Sequence, residues 1–338
     1  MHEGIFEQII SLENLFLAWQ EFKCGKRSKS DVQSFEFHLE DNVFSLHHDL
    51  RDGTYRHGQY QPFKITDPKL RLINKAAVRD RLLHRAIYRV LYPLWDKTFI
   101  FDSYSCRNNK GTHKAFARLV SLIQKISQNY TQPCFALKLD IKKFFDSIDH
   151  EILMDLLKER IEDEQLSGLL QNIIDSFEYS PGKGMPLGNL TSQIFANVYL
   201  DPLDKFAKHK LKAKYYLRYA DDFVFLSDKP DELMGYLVEA NRFLKTRLKL
   251  NIHPDKIHLR KLKWGIDYVG YVVLPHYSIP RRKTVERISK RVNRLLSINN
   301  SSTLAKSLPS YLGYLKHVDA YNLASKLAQE FHLNQHYL

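Results

Sequence analysis

Apolar residues recur every three or four positions along much of the chain, a spacing that predicts amphipathic helices. The strongest pattern of this kind runs from Val78 to Leu94, where Arg81, Arg85 and Arg89 share the opposite face. A basic helix face either meets solvent or binds phosphate groups, and the pattern alone fits both cases. The three arginines are therefore candidates for contacts with a polyanion.

Further helices are predicted over most of the first sixty residues and over four later segments. The later segments are about 149–177, the stretch that begins at 190, about 231–248, and 281–338. The last segment opens with a helix whose basic face includes Arg287, Arg291 and Arg294. An amphipathic helix with a basic outer face is suited to following a nucleic-acid backbone.

Strict alternation of apolar and polar residues predicts strands in other places. Residues 134–141 alternate cleanly and predict a strand with one buried face, with Asp140 on the polar face. Residues 214–227 predict two strands joined by a tight turn at 220–222, because Asp tolerates a left-handed backbone. A further strand is predicted over 268–274.

Length and charge narrow the functional classes. The chain has 338 residues, enough for two domains of ordinary size or for one large fold with lobes. Its 51 Lys and Arg residues exceed its 38 Asp and Glu residues by 13. That balance favours a polyanionic partner, most often nucleic acid, although a basic surface that only keeps the protein in solution gives the same count.

Cysteine spacing and hydropathy argue against several other classes of protein. Cys24, Cys106 and Cys134 lie far apart and form no CxxC pair, which argues against a disulfide framework and a zinc site. No apolar run approaches the roughly 18 residues of a membrane span, and the N-terminus lacks the apolar core of a signal sequence. We therefore expect a cytoplasmic protein with no membrane partner.

Three carboxylates are candidates for a metal site. Asp221 and Asp222 lie at the tip of the predicted hairpin, where adjacent carboxylates repel each other unless a cation is near. Asp140 on a neighbouring strand would complete a site for Mg²⁺, which prefers oxygen ligands. Two such ions about 3.5–4 Å apart suit in-line phosphoryl transfer, with Mn²⁺ as a substitute. Taken alone, however, the aspartate pair is more often a solvated turn.

Several motifs, in order and at matching spacing over about residues 60–280, resemble those of bacterial reverse transcriptases. The two that contain the carboxylates are LKLDIKKFFDSIDH at 137–150 and LRYADDFVFLS at 217–227. The others are RLINKAAVRDR at 71–81, FDSYSCRNNKGTHKAF at 101–116, GMPLGNLTSQIFANVYL at 184–200, LNIHPDKIHL at 250–259 and YVGYVVLP at 268–275. SYLGYLKHVDAYNL at 310–323 is similar to the thumb of the bacterial members.

The resemblance implies an α+β fold of the right-hand polymerase type, with an antiparallel palm sheet and a helical thumb. The implied boundaries are 1–60 for an N-terminal helical extension, 61–135 for the fingers, 136–279 for the catalytic palm and 280–338 for the thumb. The implied activity is RNA-directed DNA polymerisation with two Mg²⁺ ions. The partners would be template RNA, the RNA–DNA hybrid and dNTPs.

The resemblance also implies roles for individual residues. Asp140 and Asp221, with the backbone carbonyl of Ile141, would bind the metal ions, and Asp222 would support the site. Phe145 would be the steric gate that excludes ribonucleotides, although an aromatic residue here could equally belong to the core. The candidates for the nucleotide site are Arg71, Arg79, Leu187, Gly188, Gln193 and Lys256.

One motif departs from the pattern of most reverse transcriptases, which have Gln-Gly and Ser-Pro where this chain has Leu187-Gly188 and Ser192-Gln193. The sequence LGNLTSQ resembles that of diversity-generating retroelements, whose enzymes make frequent errors at template adenines. Because Leu cannot reproduce the hydrogen bonds of Gln beside the nucleotide, we expect relaxed fidelity and a role in mutagenic retrohoming. The partners would then include a small basic accessory protein that forms a ring and a structured noncoding RNA.

Two other functions stay open from the sequence. A related reverse transcriptase could act in antiphage defence by copying a dedicated noncoding RNA. A non-catalytic RNA-binding scaffold would have the same shape, but the presence of all three carboxylates argues against it. A group II intron protein is less favoured, because the Gln-Gly and Ser-Pro pairs are missing.

Overall fold

The computed structural model describes residues 4–66, 70–298, 300–325, 327 and 329. The helices predicted for the first sixty residues are confirmed as α1 (Ile5–Ile10), α2 (Leu12–Lys23), α3 (Ser30–Phe37) and α4 (Leu39–Arg51). Trp19 and Leu46 are fully buried, and they belong to the same hydrophobic core as the buried residues of the later helix that begins at Val78. The N-terminal helices therefore share their core with the rest of the chain.

A hairpin and two helices follow. The strands are β1 (Gln61–Ile65) and β2 (Arg71–Lys75), and the helices are α5 (Val78–Asp96) and α6 (Thr112–Ile126). The hairpin is largely exposed. Helix α5 buries Leu82 and Ala86, two positions of the predicted four-residue repeat, so the helix predicted from Val78 is confirmed.

The central sheet has four antiparallel strands in the order β4-β5-β3-β6. They are β3 (Phe135–Asp140), β4 (Tyr216–Tyr219), β5 (Asp222–Ser227) and β6 (His258–Lys261). Leu137 and Leu139 face the large core, whereas Ala136 packs into a second apolar cluster on the other side of the sheet. The prediction of one buried face was therefore wrong, because α6 and its neighbours cover the second face.

Helices between the strands complete the large core. They are α7 (Phe144–Ser147), α8 (His150–Lys158), α9 (Glu164–Asp175), α10 (Leu190–Lys205, continued by a π-helix over Phe206–Lys210) and α11 (Pro230–Arg247). The helix predicted over 149–177 is interrupted between α8 and α9. Asp163 begins the second part, since its side chain accepts a hydrogen bond from the Leu166 amide.

A small sheet connects the central sheet to the last helices. Its strands are β7 (Ile266–Tyr268), β8 (Tyr271–Val273) and β9 (Ser278–Pro280). The single strand predicted over 268–274 was wrong, because Val269 and Gly270 have positive φ values of 43° and 101° and reverse the chain. Helices α12 (Arg282–Ser297) and α13 (Ser301–Leu315) then pack around a hydrophobic core of their own.

Helices and antiparallel sheets together give the predicted α+β class. Among the described residues, no helix is both long and apolar enough to cross a membrane.

Candidate active site

The three candidate metal carboxylates meet at one end of the central sheet. Asp140 is the last residue of β3 and Asp222 is the first residue of β5, and the antiparallel register places them opposite each other. Asp221 lies in the turn before β5, and its carbonyl accepts a hydrogen bond of 3.2 Å from the Ile141 amide. Strand pairing and the adjoining turn therefore place all three aspartates at the same end of the sheet.

The left-handed residue of this turn is Ala220, with a φ of 55°. The sequence favours an aspartate for that role, and this prediction was wrong, because neither Asp221 nor Asp222 has a positive φ. A left-handed backbone costs an Ala residue about 1–2 kcal/mol. Contacts from the surrounding structure must therefore hold the turn in place.

Burial and mutual repulsion raise the pKa of both hairpin aspartates. Burial is the largest cause of the raised pKa of Asp222, and the charges of Asp140 and Asp221 add to it, while Lys138 at 3.8 Å opposes it. The pKa of Asp221 is raised by burial and by Asp140, and it is lowered in part by nearby cations. The cluster thus has an excess of negative charge that a bound cation would neutralise.

Lys256 is a cation in direct contact with these carboxylates. Its Nζ donates a hydrogen bond of 2.6 Å to Oδ1 of Asp140. The backbone explains this approach, because the His253 amide donates to the Asp140 carbonyl at 2.8 Å and a 3₁₀ turn over Pro254–Lys256 follows. The structure therefore brings Lys256 to the site, and its role toward the leaving pyrophosphate stays a prediction.

The donor set fits Mg²⁺ bound together with a substrate. Within the described ranges, no group of three His, Cys, Asp or Glu residues forms a ready-made metal cage. Mg²⁺ is usually bound by one or two carboxylates with substrate phosphates and water, so it does not require one. Asp140 and Asp222 supply neighbouring carboxylates, and an ammonium group already contacts one of their oxygens.

Phe145 lies on α7, five residues after Asp140, and contacts the loop at 184–189. It is half-buried, whereas the neighbouring Phe144 is fully buried in the core. The Phe145 carbonyl accepts a hydrogen bond of 2.8 Å from the Met185 amide, which ties α7 to the loop. Phe144 thus belongs to the core, whereas part of the Phe145 side chain is accessible. The role of Phe145 as a steric gate stays a prediction.

A cavity of about 650 Å³ lies between the N-terminal helices, the β1–β2 hairpin and the start of α10. It brings together residues from two separate predictions, namely Gly188 and Gln193 with Arg81 and Arg85. Aromatic and basic side chains also line it, among them Phe22, Phe63, Lys26, Lys29 and Lys75. A positively charged cavity with aromatic walls suits single-stranded nucleic acid.

Gly188 allows the hairpin to approach the loop closely. Its φ is 108°, and a Cβ at this position would lie 2.9 Å from Cγ2 of Ile73 on β2. An L residue here would be strained and would also push the strand away. The preceding Leu187 is half-buried and is not among the residues that line the cavity.

The basic face of α5 packs against the N-terminal helices. Arg81 donates a hydrogen bond of 2.5 Å to Asp31, while Arg85, at 3.6 Å, and Arg89 both pair with Glu21. These contacts attach α2 and α3 to α5, and among the three arginines only Arg81 and Arg85 also line the cavity. The acidic partners lie at least 50 residues upstream, so helix periodicity could not identify them.

The two arginines predicted for the triphosphate occupy different places. Arg71 is exposed at the start of β2, and its positive charge offsets a small part of the rise in the pKa of Asp221. Arg79 pairs with Asp49 of α4, and its guanidinium lies 5.1 Å from the centre of the Tyr55 ring. Arg79 therefore holds α4 against α5, and the contact of Arg71 with the triphosphate stays a prediction.

The arginines predicted on the last segment lie on the outer face of α12. Arg287, Arg291 and Arg294 are exposed, whereas Ile288 and Val292 on the opposite face are buried. The amphipathic pattern is therefore confirmed, and contact with nucleic acid stays a prediction.

Sequence reasoning missed a second basic cavity, of about 470 Å³, between the central sheet and α12. Its lining includes Lys138, His258, Arg260, Trp264, Arg281 and Lys283. Nζ of Lys138 also lies 3.8 Å from Asp222, so one lining residue of this cavity contacts a candidate metal carboxylate. The run of basic residues over 258–263 was the available signal in the sequence.

Comparison with known proteins identifies the family. A family model described as "Reverse transcriptase (RNA-dependent DNA polymerase)" matches residues 64–273. The putative COX1/OXI3 intron 2 protein of Saccharomyces cerevisiae is 22% identical over 315 residues, which cover 75% of this chain and 34% of that protein. Protein YkfC of Escherichia coli is 25% identical over 259 residues, which cover 63% of this chain and 68% of that protein.

Two further similarities were found. The group II intron-encoded protein LtrA of Lactococcus lactis is 26% identical over 329 residues, 76% of this chain and 53% of that protein. The structure of telomerase from Candida albicans aligns with a TM-score of 0.47 and 13% identity, covering 68% of this chain and 46% of that chain. The chain thus spans about a third of the yeast intron protein and about half of LtrA. Because the family match covers more than half of its length, the chain belongs to the reverse transcriptase family and has the α+β right-hand polymerase fold.

Proposed function

We propose that the chain is an RNA-directed DNA polymerase that extends a DNA 3′ end on an RNA template. The observation that carries this proposal is the pairing of Asp140 with Asp222 across the central sheet, with Asp221 in the adjoining turn. Carboxylates held together in this way, with raised pKa values, have the charge needed to recruit divalent cations.

The carboxylates would hold two Mg²⁺ ions, with Mn²⁺ as a substitute. Asp140, Asp221 and the Ile141 carbonyl would be the ligands, and Asp222 would support them. When bound, the ions lower the pKa of the primer 3′-hydroxyl and neutralise the triphosphate. The protein contributes the fixed strand pairing that keeps these ligands in register.

The side chains around the carboxylates would bind the incoming nucleotide. Lys256 and Arg71 place positive charge where the triphosphate and the leaving pyrophosphate would lie. Gly188 and Gln193 would cover the new base pair, and the accessible part of Phe145 would contact its sugar. A bulky ring in that place excludes a 2′-hydroxyl, which makes the product DNA.

The first basic cavity and the outer face of α12 would bind the nucleic acid. The cavity lined by Arg81 and Arg85 would take single-stranded template, and the exposed Arg287, Arg291 and Arg294 would follow the backbone of the RNA–DNA hybrid. Contacts of this kind are largely independent of sequence and weaken as salt increases.

Primer extension with dNTPs and with rNTPs tests the nucleotide site. The wild-type chain should incorporate dNTPs and reject rNTPs, and Phe145→Ala should incorporate both. A matched control is Phe101→Ala, which removes an exposed ring outside the site. Unchanged sugar discrimination in a folded Phe145→Ala variant would exclude Phe145 as the gate.

We further propose error-prone copying of template adenines, as in a diversity-generating retroelement. The support is Leu187, whose apolar side chain cannot supply a hydrogen-bonded check on base-pair geometry. A loss of about 1.4 kcal/mol in discrimination is already a tenfold increase in error. In that setting the partners would be a structured noncoding RNA and a small basic accessory protein that forms a ring.

Sequencing the cDNA made by Leu187→Gln tests this finer proposal. Errors at template adenines should fall about tenfold if Gln restores the missing discrimination. Leu17→Gln, at an exposed position of α2, should leave the error rate unchanged. Equal error rates in Leu187→Gln and wild type would overturn the explanation, and faithful, repetitive copying of one noncoding RNA would favour the antiphage-defence alternative.

A further inference from the structure

Arg218 is a buried charge on β4, three residues before Asp221. It is 1% exposed, and a guanidinium removed from water is unfavourable unless its charge and its N–H groups have partners. Asp204 on α10 is 0% exposed and supplies the opposite charge. The Nε and Nη2 atoms of Arg218 donate to its carboxylate at 2.7–3.0 Å.

The other N–H groups of Arg218 reach three separate parts of the fold. Nη1 donates to Oδ1 of Asn197 at 3.2 Å and to the carbonyl of Ala220 at 3.0 Å, and Nη2 donates to Oγ of Ser103 at 3.1 Å. All five N–H groups of the guanidinium therefore have acceptors. The Ala220 carbonyl belongs to the peptide that joins the left-handed residue of the turn to Asp221.

The turn is held at two successive peptides. Arg218 holds the Ala220 carbonyl from the buried side, and the Ile141 amide holds the Asp221 carbonyl at 3.2 Å. Left-handed backbone at an Ala residue persists only where the surroundings determine it. Together these two hydrogen bonds fix the backbone on both sides of Asp221.

We propose that Arg218 is the positioning residue for the catalytic turn. Anchored to α10 by Asp204, it fixes the Ala220–Asp221 peptide and thereby places the Asp221 carboxylate beside Asp140. Arg218 acts through the backbone and does not touch the substrate. This inference rests on the proposed function of the same carboxylates.

Two variants separate positioning from simple folding. Arg218→Lys keeps a positive charge next to Asp204, but an ammonium lacks the planar fork that reaches Asp204 and Ala220 together. The double variant Arg218→Gln with Asp204→Asn removes both buried charges at once, so neither is left unpaired. The control is Arg51→Lys, because Arg51 pairs with Asp52 at the end of α4 and has no contact with the partners of Arg218.

Three measurements report on the turn in folded protein. Backbone amides of residues 220–222 should exchange with deuterium faster in both Arg218 variants, and Mn²⁺ affinity by electron paramagnetic resonance should fall about tenfold. The kcat of single-nucleotide incorporation should fall about 100-fold, with the KM for dNTP unchanged. Arg51→Lys should change none of these quantities.

The outcomes distinguish this inference from the proposed function. Variants that fold, as judged by circular dichroism, and keep wild-type exchange rates and Mn²⁺ affinity would overturn the role of Arg218. If Arg218→Lys does not fold, the double variant decides by the same criteria. If the wild-type chain never polymerises, the proposed function fails, while Mn²⁺ affinity and deuterium exchange still decide whether Arg218 positions the turn.

Discussion

The buried His84 makes the stability of this fold depend on pH. It lies on α5 and is 1% exposed, with Nδ1 at 2.7 Å from Oγ1 of Thr191 and Nε2 at 3.1 Å from Nε2 of His57. Burial, reinforced by the neighbouring His57, lowers the pKa of His84 to about 3. The neutral imidazole therefore links α5 to the start of α10 in the folded protein.

The size of the effect follows from the difference in proton uptake. In the unfolded chain His84 binds a proton below about pH 6.5, whereas the folded chain does not protonate it until about pH 3. The unfolded state therefore binds more protons between these values, and stability falls as the pH falls. Between pH 7 and pH 5, His84 should lower the free energy of unfolding by about 2 kcal/mol.

Urea unfolding followed by circular dichroism at pH 5, 6 and 7 measures this quantity. His84→Gln keeps a polar group beside Thr191 but cannot titrate, so its stability loss between pH 7 and pH 5 should be smaller than that of the wild type by about 2 kcal/mol. His48→Gln, on the exposed side of α4, should keep the wild-type pH dependence. Equal pH dependence in His84→Gln and wild type would refute the reasoning.

Other parts of the structure give further predictions. Gly188→Ala puts an L residue at a φ of 108° with its Cβ 2.9 Å from Ile73. The free energy of unfolding measured in urea should therefore fall by about 1–3 kcal/mol. Lys256→Gln removes an ammonium group that lies 2.6 Å from Asp140 and competes with a metal ion for that carboxylate. An ion pair that is partly exposed contributes up to about 1 kcal/mol, so Mn²⁺ measured without dNTP should bind a few-fold more tightly to this variant. Arg294→Gln should weaken hybrid binding and reduce the slope of log affinity against log salt by about 1.

Each of these changes has a matched control in α11 or near it. Gly235→Ala adds a Cβ in open space within a helix and should be neutral or stabilising. Lys249→Gln removes a lysine that pairs with Asp149, away from the three carboxylates, and should leave Mn²⁺ binding unchanged. Arg242→Gln should not change the salt slope. The same effect in a variant and its control would contradict the corresponding prediction.

Local patterns in the sequence were sufficient for the elements that carry the carboxylates. Alternation over 134–141 predicts β3 and places Asp140 at its end, and the apolar pair of strands around 220–222 predicts the β4–β5 hairpin. Both patterns depend only on neighbouring residues, because a strand alternates its side chains between two faces. Matching the buried faces of β3 and β5 restricts the register that pairs Asp140 with Asp222, because a slip of one residue would turn every side chain to the opposite face.

Long-range partners were not predictable in this way. The acidic residues that neutralise the α5 arginines come from Glu21 and Asp31 in the N-terminal helices. The carbonyl of the left-handed Ala220 accepts a hydrogen bond from the buried Arg218, whose partner Asp204 lies on another element. Such contacts are set by tertiary packing, and periodicity within one element holds no information about them.

Primer extension on an RNA template with Mg²⁺ and dNTPs tests the central claim most directly. The wild-type chain should make cDNA, and Asp221→Asn should lose that activity while keeping its fold and its affinity for the RNA–DNA hybrid. Asp228→Asn, an exposed carboxylate after β5, should keep wild-type activity. Polymerisation that survives in Asp221→Asn would contradict the account. So would the absence of product from wild type and variant alike, on any RNA template and with any accessory protein encoded beside the chain.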